Sequence, residues 1–181
     1  MRRVFAPVAS HALMHAVLST HKFQVCRADY ANPGHASAIV ALLDAYAIDP
    51  AGGGKALSAF TREHLVAALA ARPQAFSVLA FDAAAAVGLV NCFEGFSTFA
   101  CQPLVNLHDV AVLPAYRGRG VGAQMLALVE DLARARGACK LTLEVLQGNR
   151  NAGRLYERLG FADYQLDPAM GQARFMQKWL G

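Results

Sequence analysis

The chain passes from a strand into a helix within the stretch Val110-Ala-Val-Leu-Pro-Ala-Tyr-Arg-Gly-Arg-Gly-Val-Gly122. Its first residues are apolar, and from Val121 apolar residues recur at helical spacing as far as Gly137. In such a turn the backbone N–H groups and the helix dipole point toward one spot. Glycines allow close approach to the backbone, and arginines add charged donors. The turn therefore predicts an anion-binding site formed by Arg117, Gly118, Arg119, Gly120, Val121 and Gly122.

Two common phosphate-binding motifs compete for this turn. A Walker loop is excluded because no Gly-Lys-Ser/Thr follows the glycines. The run Gly118-x-Gly120-x-x-Ala123 matches a variant of the dinucleotide-binding fingerprint, and Glu144 lies about where the ribose-binding acid of that motif is expected. Four residues separate the strand from the first glycine, however, and roughly sixty remain after the turn, too few for a second nucleotide-binding half. A dinucleotide site is therefore disfavoured.

Hydrophobic periodicity and turn residues on both sides of this stretch predict an α+β chain. Strands are predicted over 22–28, 76–81, 87–93, 105–113, 141–146 and 173–180. Four helices are predicted: one with Ile39 and Tyr46 on its apolar face, and three that begin at or after Thr61, Val121, and Asn149 or Asn151. Residues 49–54 and 95–103 are predicted loops. The apolar runs on either side of Asp82 are predicted to be antiparallel neighbours, which gives a mixed sheet with helices packed on it.

The composition of the 181-residue chain, 55% hydrophobic and 17% charged, predicts one domain over 22–181 after an N-terminal extension, 1–21. The net charge of +4 arises after residue 109, where 10 Lys and Arg face 6 Asp and Glu, so it favours an anionic ligand over nucleic acid. The four cysteines form no C-x-x-C pair, so neither a disulfide framework nor a metal site is expected, and a cytoplasmic location is favoured. No segment is typical of a transmembrane helix. We also expect a homodimer.

A second motif follows the glycine-rich turn: Asn149-Arg-Asn-Ala-Gly-Arg-Leu-Tyr156-Glu-Arg-Leu-Gly-Phe161. It is similar to the Asn-x-x-Ala-x-x-x-Tyr-x-x-x-Gly-Phe segment of the GNAT N-acetyltransferase superfamily. The run Arg117-x-x-Gly120-x-Gly122 resembles the acetyl-coenzyme A signature of the same family, Arg/Gln-x-x-Gly-x-Gly/Ala. The resemblance covers about residues 23–180. It implies a GNAT-like fold, with a mostly antiparallel sheet flanked by helices, and acetyl-CoA as the acetyl donor.

The resemblance also implies a role for each matched position. A local bulge would separate the third strand of the antiparallel run from the next strand, so that the backbone of Val110, Ala111 and Val112 pairs with the pantetheine arm. The turn Arg117–Gly122 would hold the pyrophosphate, and Asn149 would contact the pantetheine amide region. Tyr156 would lie near the thioester sulfur and protonate the leaving thiolate. Its alternative role is to anchor the short helix to the sheet.

Acetyl transfer to an amine needs a base, because the amine must lose a proton before or during attack. His108 is the first candidate, and its surroundings resemble the Leu-Glu-Asp segment of diamine acetyltransferases and the Leu-His segment of arylalkylamine acetyltransferases. Alternatively, His108 is a structural, hydrogen-bonded histidine. Strand alternation places Asp109 on the opposite face, where it would orient neighbours or the acceptor. Glu94 is the second candidate base, and it shares with Phe96 a loop whose acidic and aromatic residues would bind an amine on an apolar body.

These features predict an N-acetyltransferase that transfers the acetyl group of acetyl-CoA directly to a primary amine of a small molecule, such as an amine, polyamine, amino acid or antibiotic. The glutamate of the diamine branch is replaced by His108, which argues against polyamine specificity. A protein or peptide N-acetyltransferase and a non-catalytic acetyl-CoA sensor are the alternatives. Nucleic-acid and membrane partners are not expected.

Overall fold

The sheet is built in chain order, with each strand beside the one that precedes it. The computed structural model of the chain describes residues 23–164, 167, 169, 171 and 173–180, so the predicted extension 1–21 lies outside the described residues. The strands are β1 (Gln24–Arg27), β2 (Ala75–Asp82), β3 (Ala85–Ser97), β4 (Gln102–Val112) and β5 (Leu141–Leu143). The first four are antiparallel neighbours, and β5 runs parallel to β4. The predicted α+β class, with a mixed and mostly antiparallel sheet, is confirmed.

Helices cover both faces of the sheet. The described α-helices are α1 (Pro33–Ile48), α2 (Ala59–Ala70), α3 (Val121–Ala135) and α4 (Arg150–Arg158), with short 3-10 turns at Pro50–Gly52 and Pro114–Tyr116. On the face of α1 and α2, buried Ile39 and Leu42 meet Leu79 and Leu89 of the sheet. None of the helices in the described part of the chain is long and apolar enough to cross a membrane.

The other face carries the larger apolar core, under α3 and α4. Buried Met125 and Val129 of α3 pack there with Val90 and Leu107 of the sheet. Helix and sheet approach closely at Gly88, where an added Cβ would lie 2.8 Å from Cε of Met125. The strongly amphipathic sequence of α3, which begins at the predicted residue, is explained by this burial.

A β-bulge interrupts the pairing of β3 with β4 and fixes the shape of the sheet. Asn91 pairs with Asp109, whereas the next residue, Cys92, pairs with Leu107, so His108 is the extra residue of β4. The pairing of β4 with β5 also ends at Leu107. Beyond that point no strand in the described chain pairs with the outer edge of β4. The bulge that the family resemblance implies is therefore present.

The predicted loop over 95–103 is instead part of a long hairpin. Strand β3 continues to Ser97 and β4 begins at Gln102, and the register pairs Gly95 with Leu104 and Phe96 with Pro103. Glycine and proline favour a loop in the sequence, but both are tolerated near a strand end, where fewer ladder hydrogen bonds are lost. The loop prediction was wrong for that reason.

Other elements also differ from the predictions, among them β5, which ends at Leu143 and not at residue 146. The N-cap of α2 is Ser58, whose side chain accepts a hydrogen bond from the Thr61 amide, so Thr61 itself lies in the first turn. Residues 173–180 do not form the predicted sixth strand, and the side chain of Trp179 is 85% exposed. An alternating pattern makes a strand only where a neighbour completes its backbone hydrogen bonds, and this stretch pairs with none of the described strands.

Candidate active site

A cleft opens where β4 and β5 part, directly beyond the bulge. Its walls come from four elements: Tyr46 of α1, His108 of β4, Glu144 after β5, and Tyr156 of α4. Tyr46 belongs to the core on the α1 face and Tyr156 to the core on the α3 face, so the cleft passes through the sheet. The free edge of β4 along it presents backbone N–H and C=O groups over 108–112, as an extended ligand requires.

The glycine-rich turn has the geometry of an anion site. Gly120 is the N-cap of α3 at φ +85°, and no side chain caps the helix. The first helical hydrogen bond comes from the Gln124 amide to the Gly120 carbonyl, so the three amides before Gln124 are available to a ligand. The Arg119 guanidinium carbon lies 5.1 Å from the ring centroid of Tyr116, which holds its charge beside the turn. These donors and charges suit a pyrophosphate.

Arg117 fastens the end of β4 to the loop after α1. Its Nε donates to the Val112 carbonyl at 3.0 Å, and its Nη2 lies 2.8 Å from Oδ2 of Asp49. This hydrogen bond, aided by the Ala51 amide, lowers the pKa of the Asp49 carboxyl below its usual value. Two of the guanidinium's contacts are thus made within the protein, and a phosphate would meet an arginine that is already oriented.

Gly122 has a structural role that sequence reasoning did not assign, and Asn149 has the helix-capping role predicted for it or Asn151. An added Cβ at Gly122 would lie 2.9 Å from Cδ2 of Leu155, so the absence of a side chain lets α3 pack on α4. Asn149 lines the cleft, and its Oδ1 caps α4 by accepting from the Ala152 amide at 3.3 Å. Both residues therefore help to place α4 beside the cleft.

Tyr156 combines a packed ring with an available hydroxyl. The residue is 8% exposed, and its ring meets Phe161 edge-on at a centroid distance of 5.8 Å. Within the described part of the chain its hydroxyl has no hydrogen-bond partner. Burial, and to a smaller extent Tyr46 across the cleft, raises the pKa of Tyr156 to about 12. The side chain therefore keeps its proton at neutral pH and can donate it.

His108 and Asp109 lie on the same face of the sheet, so the prediction of opposite faces was wrong. The His108 ring meets Phe93 edge-on at 5.5 Å, and Asp109 Oδ2 accepts from Asn91 Nδ2 at 3.0 Å. Phe93 packs in the core under α1, the face to which the Asn91 side chain also turns. The bulge breaks the alternation, because its extra residue shifts the side-chain phase of the strand.

The structure does not bring Glu94 and Phe96 to the cleft. Oε2 of Glu94 lies 3.3 Å from Nε of Arg136, at the end of α3, and the Arg136 guanidinium carbon lies 4.4 Å from the Phe76 ring centroid. Phe96 is 59% exposed on the long hairpin. Glu94 therefore supports the packing of α3 and is poorly placed to serve as a base in the cleft.

Sequence reasoning missed Tyr46 and Glu144 as residues of the cleft. Tyr46 shares a helical stripe with core residues, so the pattern alone indicates packing. Burial, then Asp109 and Asp49, raises its pKa. Glu144 follows the end of β5, and Asn106 Nδ2 lies 3.4 Å from its Oε1. In the sequence Glu144 falls inside the predicted strand 141–146, so its position at the end of β5 was visible only in the structure. In the described chain, no group of three or more His, Cys, Asp or Glu residues is placed to hold a metal ion.

The sequence profile of the acetyltransferase (GNAT) family matches residues 55–161, more than half of the chain. The chain belongs to the GNAT family. The match spans α2 to α4, and it includes both the glycine-rich turn and the Tyr156 segment. The GNAT family generally uses acetyl-CoA as its acetyl donor. The anion-binding turn and the free edge of β4 are the parts of the structure that suit that donor.

Curated relatives of this GNAT chain include enzymes named for different amines. Streptothricin acetyltransferase of Streptomyces lavendulae is 38% identical over 92 residues, which is 51% of this chain and 49% of the relative. Thialysine N-epsilon-acetyltransferase of Mus musculus is 39% identical over 59 residues, 33% of this chain and 35% of the relative. The alignments thus span about half or less of each relative's length.

A solved structure extends the likeness over most of the fold. An aminoglycoside acetyltransferase from an uncultured soil metagenomic sample, crystallised with sisomicin, superposes with a TM-score of 0.69. The match covers 86% of this chain and 97% of that one at 15% identity. At that identity the likeness concerns the fold alone.

Proposed function

We propose that this protein is an N-acetyltransferase that transfers the acetyl group of acetyl-CoA directly to a primary amine of a small molecule. One observation carries the proposal. The parting of β4 and β5 leaves Tyr156 and the free edge of β4 lining one cleft, and β4 leads directly into the glycine-rich turn that opens α3. A long anionic thioester would find in this arrangement a phosphate site, a backbone edge and a proton donor, in that order.

The donor would be bound mainly by backbone. Amides of the Arg117–Gly122 turn would hold the pyrophosphate, and Val110, Ala111 and Val112 would pair with the pantetheine arm. Asn149 would approach the arm from the other wall of the cleft, since its side chain already lines that wall. Backbone binding orients the thioester without committing side chains that the reaction needs.

His108 and Tyr156 would perform the two proton transfers. His108 would take a proton from the acceptor amine, directly or through water, as its nitrogen attacks the thioester carbon. The N–C bond forms and the C–S bond breaks, and Tyr156 would give its proton to the departing sulfur. His108 lines the cleft and belongs to the α1 face, whereas Tyr156 enters from the α3 face, so the two residues serve opposite sides of the reacting carbon.

A small cationic acceptor suits the charges around the cleft. Glu144 stands in its wall, and the Asp109 carboxylate acts on Tyr46 from the α1 face. Two curated relatives are named as a streptothricin acetyltransferase and a thialysine N-epsilon-acetyltransferase, and the second name specifies transfer to nitrogen. These observations support an amine acceptor and leave its skeleton open. A homodimer and a cytoplasmic location stay predictions.

The deciding experiment measures release of free coenzyme A thiol from acetyl-CoA with streptothricin, thialysine, sisomicin, spermidine and a peptide with a free N-terminus. Release that depends on one of the small amines, together with a product heavier by one acetyl group, is the expected result. Release with the peptide alone would assign the protein to the peptide-acetylating class. Binding of acetyl-CoA without turnover of any acceptor would indicate a sensor and contradict the proposal.

A further inference from the structure

A row of polar side chains crosses the sheet beneath α1 and ends at the bulge. Ser77 of β2 pairs with Asn91 of β3, and Asn91 pairs with Asp109 of β4, so the three residues lie side by side on neighbouring strands. The Ser77 hydroxyl donates to Asn91 Oδ1 at 2.6 Å, and Asn91 Nδ2 donates to Asp109 Oδ2 at 3.0 Å. The hydroxyl of Tyr30, which follows β1, lies 3.0 Å from Ser77 Oγ.

All hydrogen bonds of the row run in one donor-to-acceptor direction. Ser77 spends its one hydrogen on Asn91, so the hydrogen between Ser77 and Tyr30 must come from the tyrosine hydroxyl. Every donor then points toward β4, and Asp109 is the final acceptor. Hydrogen bonds arranged head to tail polarise one another, and the last one is directed at a carboxylate, where it is strongest.

Because the row is buried, any polar group in it that lacked a hydrogen bond would destabilise the fold. Ser77 is 0% exposed and Asn91 is 2% exposed, in a face otherwise filled by residues such as Leu79 and Leu89. Apolar side chains of similar shape would pack there without the desolvation of polar groups. What the row achieves at this cost is to hold Asp109 in one position, next to His108, the extra residue of the bulge.

Asp109 directly follows His108 of the cleft wall, and both side chains lie on the α1 face of the sheet. The carboxylate contributes to raising the pKa of Tyr46, a residue of the cleft wall. Among the described residues, no lysine or arginine forms an ion pair with Asp109. A half-buried carboxylate that is held by a neutral amide and has no protein cation beside it is suited to an ammonium group of a ligand.

We propose that Asn91, held by Ser77 and Tyr30, is a positioning residue that fixes the Asp109 carboxylate to receive a second ammonium group of the acceptor, one that is not acetylated. This inference rests on the proposed amine acetylation. Because Asp109 would hold the ammonium in ground state and transition state alike, loss of its support raises the acceptor KM more than it lowers kcat. The effect should decrease along the row with distance from Asp109.

The test compares steady-state kinetics of Ser77→Ala and Tyr30→Phe with thialysine as acceptor, or with streptothricin if that amine is the one turned over. Ser77→Ala should raise the acceptor KM about 3- to 30-fold, as expected for weakened hydrogen bonding to a charged group, with the acetyl-CoA KM unchanged. Tyr30→Phe, which leaves the Ser77–Asn91 bond in place, should raise it less. In an Asp109→Asn background, Ser77→Ala should add no further rise, because the group being positioned is gone.

Matched controls separate positioning from loss of stability. Ser58→Ala removes another serine hydrogen bond, the N-cap of α2, and should lower the melting temperature without changing the acceptor KM. Tyr164→Phe is the distant control for Tyr30→Phe. An equal KM rise for Ser77→Ala in the wild-type and Asp109→Asn backgrounds, or for Ser58→Ala, overturns the inference.

A second readout decides the positioning claim without catalysis. The side-chain amide protons of Asn91, followed by NMR in the intact protein, should exchange slowly in wild type and faster in both Ser77→Ala and Asp109→Asn. Unchanged protection in the two variants overturns the inference. Absence of thiol release from wild type with every amine tested overturns the proposed function instead, and the exchange rates then still show whether the row orders Asp109.

Discussion

Tyr156 has a ring that packs and a hydroxyl that is available to a ligand, and one substitution separates the two. Tyr156→Phe keeps the edge-on contact with Phe161 and removes the proton donor. We expect kcat to fall about 10- to 1,000-fold, the usual range for loss of one general acid, with the acetyl-CoA Kd unchanged. Steady-state kinetics and calorimetry measure the two quantities. A kcat within about twofold of wild type, with chemistry rate-limiting, would leave Tyr156 only its packing role.

The pH profile of kcat/KM tests the protonation states of Tyr156 and His108. Burial raises the pKa of Tyr156 to about 12, so the hydroxyl stays protonated as pH rises and no descending limb should come from it below about pH 11. A base must lose its proton to act, so activity should rise with pH through an ascending limb that His108→Ala removes. The profile is measured for both proteins with one verified acceptor.

Glu94→Gln is the control for that profile. Its side chain pairs with Arg136, away from the cleft, so the substitution should cost some stability and leave the ascending limb in place. Loss of the limb in Glu94→Gln, with the limb retained in His108→Ala, would reverse the two assignments. Glu144→Gln tests the carboxylate that does line the cleft in the same way.

At the scale of elements, the glycine-rich turn is tested by two glycines with similar backbone angles. Gly120 has φ +85° at the start of α3, and Gly137 has φ +71° just beyond its end. Alanine at either position should cost about 1 to 2 kcal/mol of stability, because side chains disfavour left-handed backbone. Only Gly120→Ala should also weaken acetyl-CoA binding, by about tenfold or about 1.4 kcal/mol, since it turns the amides at the ligand site. Thermal unfolding and calorimetry give both quantities, and equal Kd values for the two variants would remove the turn from the donor site.

The loop after α1 holds Tyr46 against the cleft. An added Cβ at Gly52 would lie 2.0 Å from the Tyr46 carbonyl oxygen, so Gly52→Ala must move the end of α1. We expect kcat/KM for the acceptor to fall on the order of 10- to 100-fold, as displacement of an active-site wall does. Gly54→Ala strains the same loop at φ +72° with nothing within 4 Å of the new Cβ, and it should change stability alone. Equal acceptor kinetics for the two variants would separate Tyr46 from acceptor binding.

Elements with a strong local signal were predictable, and features set by pairing were not. The start of α3 follows from its periodicity and its glycines, and that of α4 from the cap at Asn149. The phase change at His108 depends on a register shift between two strands, which no local pattern records. The same holds for the hairpin to Ser97, because long-range pairing overrides the glycine and proline signals. Tyr46 lines the cleft because of how α1 packs in the folded protein, whereas the apolar pattern of α1 predicts only packing in the core.

At the scale of the whole molecule, the two faces of the sheet have different tasks. The α3 face contributes the turn for the donor and Tyr156, and it holds the larger core. The α1 face contributes Tyr46 and the polar row that ends at Asp109. Sequence motifs located the first face, because glycine-rich turns and their helices are contiguous in the chain. The second face is assembled from distant segments. The sequence named His108 and Asp109 as candidates, but their shared face and the place of Tyr46 in the cleft emerged only from the structure.

A cleft that passes through the sheet sets the kinetic order of the reaction. If donor and acceptor enter from opposite faces, neither blocks the other, and both occupy the protein in a ternary complex before any bond changes. The buried Cys92 thiol does not line the cleft, and burial raises its pKa to about 12, so it offers no nucleophile for an acetylated intermediate. Double-reciprocal plots at several fixed acceptor concentrations should therefore intersect. Parallel lines, or acetyl-protein detected by mass spectrometry without acceptor, would instead show a ping-pong mechanism with an acetylated protein intermediate.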